Sequence, residues 1–166
     1  INIAAATAKL GAHSKVLTQV GADAFGDFIL ETLSLCQVDI TAVKRTKQYP
    51  TALAFVALDE KGNRDFTFYR DPCADLHLSA EDITATMFQD CGILHFCSVD
   101  LVDSPMKQAH LKAIQLAKEQ GAIISFDPNV RLPLWSSKED CKNTILEFAP
   151  YADILKISDD ELFFLT

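Results

Sequence analysis

The stretch that decides the fold is residues 93–126, which read ILHFCSVDLVDSPMKQAHLKAIQLAKEQGAIISF. Two short apolar runs, 93–97 and 122–126, have the length and composition of buried strands. Between them lies a helical pattern that opens with Ser104 at the N-cap, followed by proline at the first helical position, and ends near Gly121. The order strand, helix, strand predicts two parallel strands joined by a crossover helix.

The same alternation continues on both sides of this stretch. Residues 137–148 have a helical pattern, and residues 153–157 form another apolar run. A further helix begins at 158, where the chain has the Ser-x-x-Glu pattern of a helix start. Upstream, Ser79 predicts the cap of a helix over residues 80–88. Alternating helices and strands predict an α/β fold with a doubly wound, mostly parallel sheet.

The first forty residues repeat this alternation on a smaller scale. An alanine-rich helix is already under way at the first residue and ends before Gly11. A strand is expected over 15–20 and a helix over 25–36. Spacing along that second helix predicts one apolar face formed by Phe28, Ile29 and Leu33.

Between residues 38 and 70 the pattern changes to strands. Three strand-like runs occur, and the last two flank a turn sequence with Gly62 where a hairpin requires positive φ. We therefore expect a small antiparallel sheet here, with strands over 42–47, 51–58 and 64–70. The predicted domain plan is the start of the α/β domain at 1–37, a β lid at 38–70, and the rest of the α/β domain at 71–166.

Composition excludes several classes of function. The chain has 166 residues, of which 49% are apolar and 23% charged, as in an ordinary globular protein. Its 15 basic and 23 acidic side chains give a net charge of −8, which disfavours nucleic acid as a partner. No apolar run is long enough to span a membrane and no signal peptide is visible, so we expect a cytoplasmic protein that does not bind membranes.

The cysteines and two of the histidines have structural interpretations. Five cysteines with no CxxC spacing predict reduced thiols in a cytosolic protein, with metal and redox roles as weaker alternatives. His77 and His95 are interpreted as buried or hydrogen-bonded side chains, because this is commoner than ligation. Neither a P-loop, a GxGxxG motif, a Ser/His/Asp arrangement nor an HExxH motif is present.

Polar residues follow three of the predicted parallel strands. They occupy residues 98–100, 127–131 and 158–161 and include carboxylates, an amide and a guanidinium. The carboxyl ends of parallel strands meet at one edge of a sheet, so these loops should form a common rim. Their chemistry suits sugar hydroxyls, a phosphate group and hydrated Mg²⁺.

Each of these polar groups also has a structural interpretation. Ser158 and Glu161 have the spacing of a capping box. Residues 127–129 have the composition of a turn. Arg131 has an acid of the fold as an alternative partner. The residues alone thus indicate a small-molecule α/β enzyme with a β appendage and go no further.

Taken in order, several segments resemble the ribokinase/PfkB carbohydrate kinase family, in its fructokinase branch. The resemblance extends over essentially the whole chain, and the ordered set of motifs is more specific than any one of them. Its segments are Asn2-Ile-Ala, Val20-Gly-Ala-Asp23-Ala-Phe25-Gly26, Thr51-Ala-Leu-Ala-Phe-Val, Phe68-Tyr-Arg-Asp-Pro-Cys-Ala74-Asp75, Phe126-Asp127-Pro-Asn129-Val-Arg131-Leu-Pro-Leu-Trp135 and Lys156-Ile-Ser158-Asp-Asp-Glu161-Leu.

This resemblance implies a ribokinase-like, Rossmann-like fold that transfers the γ-phosphate of ATP to a sugar hydroxyl, converting fructose to fructose 6-phosphate. Implied sugar-binding residues are Asn2, Ala74, Asp75, Asp127, Asn129 and Arg131, and Arg131 would also neutralise charge in the transition state. Implied nucleotide-binding residues are Lys156, Ser158 and Glu161. Glu161 would bind Mg²⁺ through water, and activation by K⁺ is left open.

Two departures from the family pattern matter. The Gly-Gly that precedes Asn2 in the family is absent, and the family's Gly-Ala-Gly-Asp motif, with the catalytic base, would lie beyond Thr166. Ser158 also stands where many relatives carry Asn, as is common in the fructokinase branch. We expect a fragment of a longer enzyme that has no kinase activity by itself.

Two alternatives remain. One is a kinase of the same family acting on 2-keto-3-deoxygluconate, ribose or a nucleoside. The other is a non-catalytic sugar-binding module, or a module that forms a homodimer through the lid, whose strands would otherwise have open edges.

Overall fold

The structure is a computed structural model that describes residues 1–166 except 59, 61 and 63, and at residue 64 only the backbone. The chain forms two compact units, Ile1–Leu78 and Ser79–Thr166. Each unit contains its own parallel strands. The predicted domain plan of 1–37, 38–70 and 71–166 stays a prediction.

The first unit begins with a helix–strand–helix–strand sequence. Its elements are α1 (Asn2–Lys9), β1 (Thr18–Gly21), α2 (Ala24–Leu35) and β2 (Val43–Thr46). β1 and β2 pair in parallel, with Thr18 opposite Val43. The strand predicted over 15–20 is therefore shorter and later than expected, since Lys15 makes only an isolated bridge to Asp39.

The buried face of α2 differs from the prediction at one position. Leu33 is 1% exposed and Ile29 packs against the same core cluster, but Phe28 is 66% exposed. Ile29, Leu33 and Cys36 lie four and three residues apart, so they share one side of the helix. Phe28 precedes that row by one residue, which turns it towards solvent. The expectation that Phe28 belongs to the core face is wrong.

The antiparallel part of the first unit is a two-stranded hairpin. β3 (Leu53–Leu58) and β4 (Arg64–Tyr69) pair with Leu53 opposite Tyr69. The predicted strand at 42–47 exists as β2, but its place in the antiparallel sheet is wrong, because α2 returns the chain parallel to β1. Gly62 has the expected positive φ of 81°, and the rest of the predicted turn lies partly outside the described residues.

The second unit opens with two short 3-10 turns in place of the helix predicted over 80–88. The turns are Ala80–Asp82 and Ala85–Phe88, and Ser79 forms a capping box with Asp82. Ile83 and Thr84 between them are extended and β-branched, which disfavours continuation of a helix. Ile83 is also buried. The cap was predicted correctly and the helix was not.

The remaining elements follow the predicted alternation closely. They are β5 (Ile93–Cys97), α3 (Pro105–Glu119), β6 (Ile123–Asp127), α4 (Lys138–Phe148), β7 (Ile154–Leu155) and α5 (Asp159–Leu165). The sheet order is β5-β6-β7, and both pairings are parallel. β7 has two residues where five were expected. A parallel α/β arrangement with a small antiparallel sheet confirms the predicted fold class.

The core of the second unit lies on one face of this sheet. Phe96 and Phe126 stack with ring centroids 4.6 Å apart, and Phe148 from α4 meets Phe96 edge to face. Ile124 and Ile145 are fully buried in the same unit. Burial of these large apolar side chains is the main favourable contribution to the stability of the unit.

The cysteines are all free thiols. Burial raises the pKa of Cys73 to about 12 and the pKa of Cys141 to about 11, so both thiols stay protonated at neutral pH. The two histidines have partners as expected: Nδ1 of His77 lies 2.9 Å from the Cys73 carbonyl, and Nδ1 of His95 lies 3.0 Å from the Ser125 hydroxyl. Among the described residues, no helix has both the length and the apolar character needed to cross a membrane.

Candidate active site

The loops that follow β5 and β6 are joined by hydrogen bonds at the carboxyl edge of the sheet. The backbone N–H of Ser98 donates to the carbonyl of Pro128 at 3.2 Å, and the Ser98 hydroxyl donates to the same oxygen. Both residues are fully buried. The beginning of the β6 loop is therefore held firmly, and the side chains that follow Pro128 start from a defined position.

Asp127 at the end of β6 pairs with Lys156 just after β7. Lys156 Nζ lies 3.0 Å from Asp127 Oδ2, and the Lys156 backbone N–H donates to the Phe126 carbonyl. The lysine side chain is 72% exposed, whereas that of the aspartate is 17% exposed. An exposed pair of this kind contributes little to stability. It does place an ammonium group at the rim, where an anionic ligand can reach it.

Glu161 joins the β6 loop to the start of α5. One carboxylate oxygen accepts the backbone N–H of Val130 at 2.9 Å, and the other accepts the backbone N–H of Ser158 at 2.9 Å. The Ser158 hydroxyl accepts from the Glu161 N–H in return. The capping-box interpretation of this motif is confirmed. The hydrogen bond to Val130 is not part of the capping box, and it connects residues on two different loops.

The electrostatic environment keeps Glu161 ionised. Burial would raise the pKa of this carboxyl, but the N–H groups of Ser158 and Val130 and the charge of Lys156 together lower the pKa below its ordinary value. The rim thus carries a carboxylate and an ammonium group that influence each other. The arrangement suits a ligand that brings both negative charge and a hydrated cation.

Asn129 and Arg131 lie on the segment between these anchors. Asn129 has a φ of 45°, a left-handed conformation that asparagine tolerates better than most residues. Arg131 Nη1 donates to the Val130 carbonyl at 2.8 Å. Asp127 ends β6 and residues 128–130 have no regular secondary structure, so the predicted turn at 127–129 is not formed as a hydrogen-bonded turn. The Arg131 guanidinium is half-buried beside a backbone segment that Glu161 holds in place.

The other predicted sugar-binding residues belong to the first unit. Asn2 is the first residue of α1 and is exposed. Ala74 is fully buried; its N–H donates to the Pro50 carbonyl and its carbonyl accepts from Gln19 Nε2. The structure brings Asp127, Lys156 and Glu161 onto one rim of the second unit, and it places Asn2, Ala74 and Asp75 in the first unit.

Asp75 forms a partly buried ion pair with Arg70. Arg70 Nη2 and Nε lie 2.6 Å and 3.0 Å from the same carboxylate oxygen, Oδ2. The other oxygen, Oδ1, is buried and has no hydrogen-bond partner within the part of the chain that the structure describes. A buried acceptor in this condition is energetically costly. The same carboxylate also faces the Cys73 thiol, whose pKa is raised by burial and by this negative charge.

The donor set fits a cation held through water rather than by direct chelation. Outside residues 59, 61 and 63, no group of three or more His, Cys, Asp or Glu side chains is arranged to hold a metal ion. The two oxygens of Glu161 each accept one N–H, and a carboxylate oxygen has capacity for a further bond. Mg²⁺ usually retains several waters in proteins, so contact through water is compatible with this geometry.

The predicted site residues did not include several residues that organise these sites. Gln19 is 4% exposed and Thr51 is 6% exposed, and both make hydrogen bonds to residues far along the chain. A polar residue inside an apolar strand-like run is the one sequence signal for Gln19. The carbonyl of Pro128 and the N–H of Val130 carry no side-chain signal and could be found only from the fold.

The fold and the rim define an α/β protein that carries carboxylates and an exposed ammonium group at the carboxyl edge of a parallel sheet. The chain belongs to the pfkB family of carbohydrate kinases, and its match to that family extends over residues 1–166. Among curated proteins, it is 39% identical to probable fructokinase-4 of Arabidopsis thaliana over 165 residues, covering 99% of this chain and 51% of that protein. It is 40% identical to fructokinase-2 of Solanum habrochaites over 165 residues, covering 99% of this chain and 50% of that protein.

Solved structures agree with this family and with the ribokinase-like fold. Fructokinase from Vibrio cholerae O395 in its fructose, ADP and calcium ion bound form has a TM-score of 0.90 and 39% identity, covering 99% of this chain and 53% of that one. Fructokinase from Xylella fastidiosa with bound ATP has a TM-score of 0.87 and 35% identity, covering 99% of this chain and 52% of that one. The chain spans about half the length of the curated relatives that it matches.

Proposed function

We propose that the complete protein transfers the γ-phosphate of ATP to a hydroxyl of fructose and forms fructose 6-phosphate. The observation that carries this proposal is the similarity to fructokinases along 99% of the chain. The rim adds independent chemical support, because it combines an exposed ammonium group with carboxylates and a guanidinium at the carboxyl edge of a parallel sheet.

The proposed roles divide between donor and acceptor. Lys156, Ser158 and Glu161 contact the nucleotide phosphates, and Glu161 holds hydrated Mg²⁺ through water. Arg131 balances charge that develops on the transferring group. The sugar-binding set comprises Asn2, Ala74, Asp75, Asp127, Asn129 and Arg131. These assignments are supported by the motif positions and, for Asp127, Lys156 and Glu161, by their common location on one rim.

Such a site accelerates phosphoryl transfer mainly by position and charge. The reaction needs little covalent assistance, so the protein contributes by aligning donor and acceptor and by neutralising developing negative charge. Mg²⁺ supplies charge neutralisation on the ATP phosphates when it is bound.

The free cysteines support a reducing, cytoplasmic location.

A substrate panel tests the proposal. Phosphorylation by the complete protein is measured with a coupled ADP assay against fructose, ribose, 2-keto-3-deoxygluconate and adenosine, with and without K⁺. We expect kcat/KM for fructose to exceed that for the others by at least ~10-fold. A higher kcat/KM for one of the other acceptors would assign the protein to a sibling kinase. Absence of turnover with every acceptor would contradict the proposed activity.

We also propose that the hairpin of β3 and β4 pairs with a second copy of the protein. The hairpin exposes several large apolar side chains, including Phe55 at 58%, Leu58 at 68% and Tyr69 at 64%. Leu53, Phe55, Thr67 and Tyr69 line a shallow concavity on one of its faces. Exposed apolar surface on an open hairpin is typical of an interaction site.

The oligomeric state of the complete protein tests this second proposal. Light scattering after size exclusion should give the mass of a dimer for the wild type, and Phe55→Ser should shift the population towards the monomer. Phe28→Ser is the matched control, because Phe28 is a similarly exposed phenylalanine, 66% against 58%, that lies on α2 and not on the hairpin. A wild-type monomer at every concentration would rule the proposal out.

A further inference from the structure

The carboxylate of Asp23 is connected to the base of the β3–β4 hairpin. Its Oδ1 accepts from the Gly26 N–H and from the Thr51 hydroxyl, each at 2.8 Å, and its Oδ2 accepts from the Thr51 N–H at 2.8 Å. The Thr51 hydroxyl oxygen accepts in turn from the Gly21 N–H at 2.9 Å. Thr51 lies two residues before β3, so one carboxylate links the end of β1, the start of α2 and the start of the hairpin.

The segment that follows β4 and leaves the hairpin is connected to the same region around β1. Gln19, in β1, donates from Nε2 to the Ala74 carbonyl at 2.9 Å, and the Ala74 N–H donates to the Pro50 carbonyl at 2.8 Å. Pro50 precedes Thr51, and Ala74 follows β4. Both ends of the hairpin are thus connected to β1 and the turn after it.

Two glycines allow this close approach. A Cβ atom on Gly21 would overlap Asp23 Oδ2 and would lie 2.7 Å from the Thr51 backbone nitrogen. On Gly26, a Cβ atom would overlap the Gly21 carbonyl oxygen and would lie 3.1 Å from the Thr51 hydroxyl. The backbone around Thr51 is therefore packed at a distance that no larger residue at either position permits.

The hairpin itself has few buried side chains to orient it. Five of the six residues of β3 are exposed. Side chains that contact mainly solvent do not define the angle at which a hairpin leaves its domain. Within one chain, the hydrogen bonds at Thr51 and Ala74, which are both buried residues, therefore help to fix this angle, together with the ion pair of Arg70 and Asp75.

We propose that Asp23, acting through Thr51, is a positioning residue that holds the hairpin at the angle needed to cover the sugar acceptor. Gln19 performs the same task at the Ala74 end. The inference rests on the proposed function, in which the hairpin is the lid over the sugar. Asp23 does not contact either substrate; it acts on sugar binding through the orientation of the lid.

Hydrogen exchange on the complete protein tests directly whether Asp23 and Thr51 hold the hairpin in place. Thr51→Val keeps the side-chain shape but removes the hydroxyl that joins Asp23 to Gly21. We expect amide exchange in Leu53–Leu58 and Arg64–Tyr69 to accelerate at least ~5-fold, while exchange in β6 stays unchanged. Thr51→Ser restores a hydroxyl and should restore protection. Unchanged exchange in the hairpin of Thr51→Val would overturn the proposal.

Steady-state kinetics test the link to the sugar. We expect Asp23→Asn, which retains a capping oxygen for α2, to raise KM for fructose by ~5-fold and KM for ATP by less than ~2-fold. Asp39→Asn is the matched control, because Asp39 also accepts a backbone N–H and a hydroxyl, both from Thr41, without touching the hairpin.

The outcomes separate the two proposals. A similar rise in both KM values, or the same change in Asp39→Asn, would overturn the positioning role while leaving the kinase activity intact. A wild-type protein that phosphorylates none of the acceptors would refute the proposed function, and the exchange experiment would still decide whether Asp23 and Thr51 hold the hairpin.

Discussion

At the level of single residues, Glu161 shows how one side chain can serve both a fold and a site. Its two oxygens accept backbone N–H groups from Val130 and Ser158, which belong to different loops. The residue after Val130 is Arg131, so this carboxylate holds the backbone from which the Arg131 side chain extends. A cap that was predicted from local spacing also connects parts of the chain that are distant in sequence.

We predict that Glu161→Gln destabilises the protein by about 1 kcal/mol, because the amide nitrogen then faces a backbone N–H that needs an acceptor. Urea unfolding monitored at pH 7 measures the change. Glu139→Gln is the control, since Glu139 lies on the exposed first turn of α4. Equal stability of Glu161→Gln and the wild type would contradict the two-loop connection.

The pH dependence of this difference provides a second prediction. The folded-state pKa of Glu161 is lowered from an ordinary value of 4.5, so its contribution is fully present above about pH 4.5 and is lost as the pH falls through the folded-state pKa. The stability gap between the wild type and Glu161→Gln should therefore be widest at neutral pH and close in acid. Unfolding curves between pH 3 and pH 7 measure this stability gap. A gap that widens in acid would contradict the predicted direction of its pH dependence.

At the level of elements, the two serines that precede α3 and α4 look alike in sequence but act differently. The Ser137 hydroxyl accepts from the Asp140 N–H at 3.0 Å, which is a true helix cap. Ser104 occupies the N-cap position of α3, but its hydroxyl donates to the Val102 carbonyl instead. Proline at the first position of α3 already removes one N–H that would need a partner.

We predict that Ser137→Ala costs about 1 kcal/mol of stability and that Ser104→Ala costs less than about 0.5 kcal/mol. The reason is that only Ser137 satisfies an otherwise unpaired N–H of its helix. Urea unfolding of the two variants under identical conditions compares them directly, each serving as the other's control. Equal costs for both substitutions would show that the hydroxyl orientation does not decide the effect.

At the level of the whole molecule, the chain spans about half the length of its curated relatives, 51% in the case of probable fructokinase-4. We propose that the catalytic base of the complete protein lies outside residues 1–166. We therefore predict that residues 1–166 alone show no fructose-dependent ADP formation, whereas the complete protein does. The coupled ADP assay measures both, and turnover by residues 1–166 at a rate near that of the complete protein would contradict the prediction.

The alternation of helices and strands could be read from the sequence because it depends on near neighbours. Apolar periodicity, N-cap residues and terminal glycines act within a few residues, and they located α3, α4, β5 and β6 almost to the residue. The same local rules failed over 80–88, where the β-branched residues Ile83 and Thr84 are extended and interrupt the helix.

The partners of each element were decided only by the tertiary structure. β2 has the composition of a strand, but its parallel pairing with β1 depends on where α2 returns the chain. Asp23 meets Thr51 across 28 residues, and Glu161 meets Val130 across 31. No local pattern specifies such contacts, because a backbone N–H has the same chemistry wherever it lies, and only the packed fold determines which acceptor is within reach.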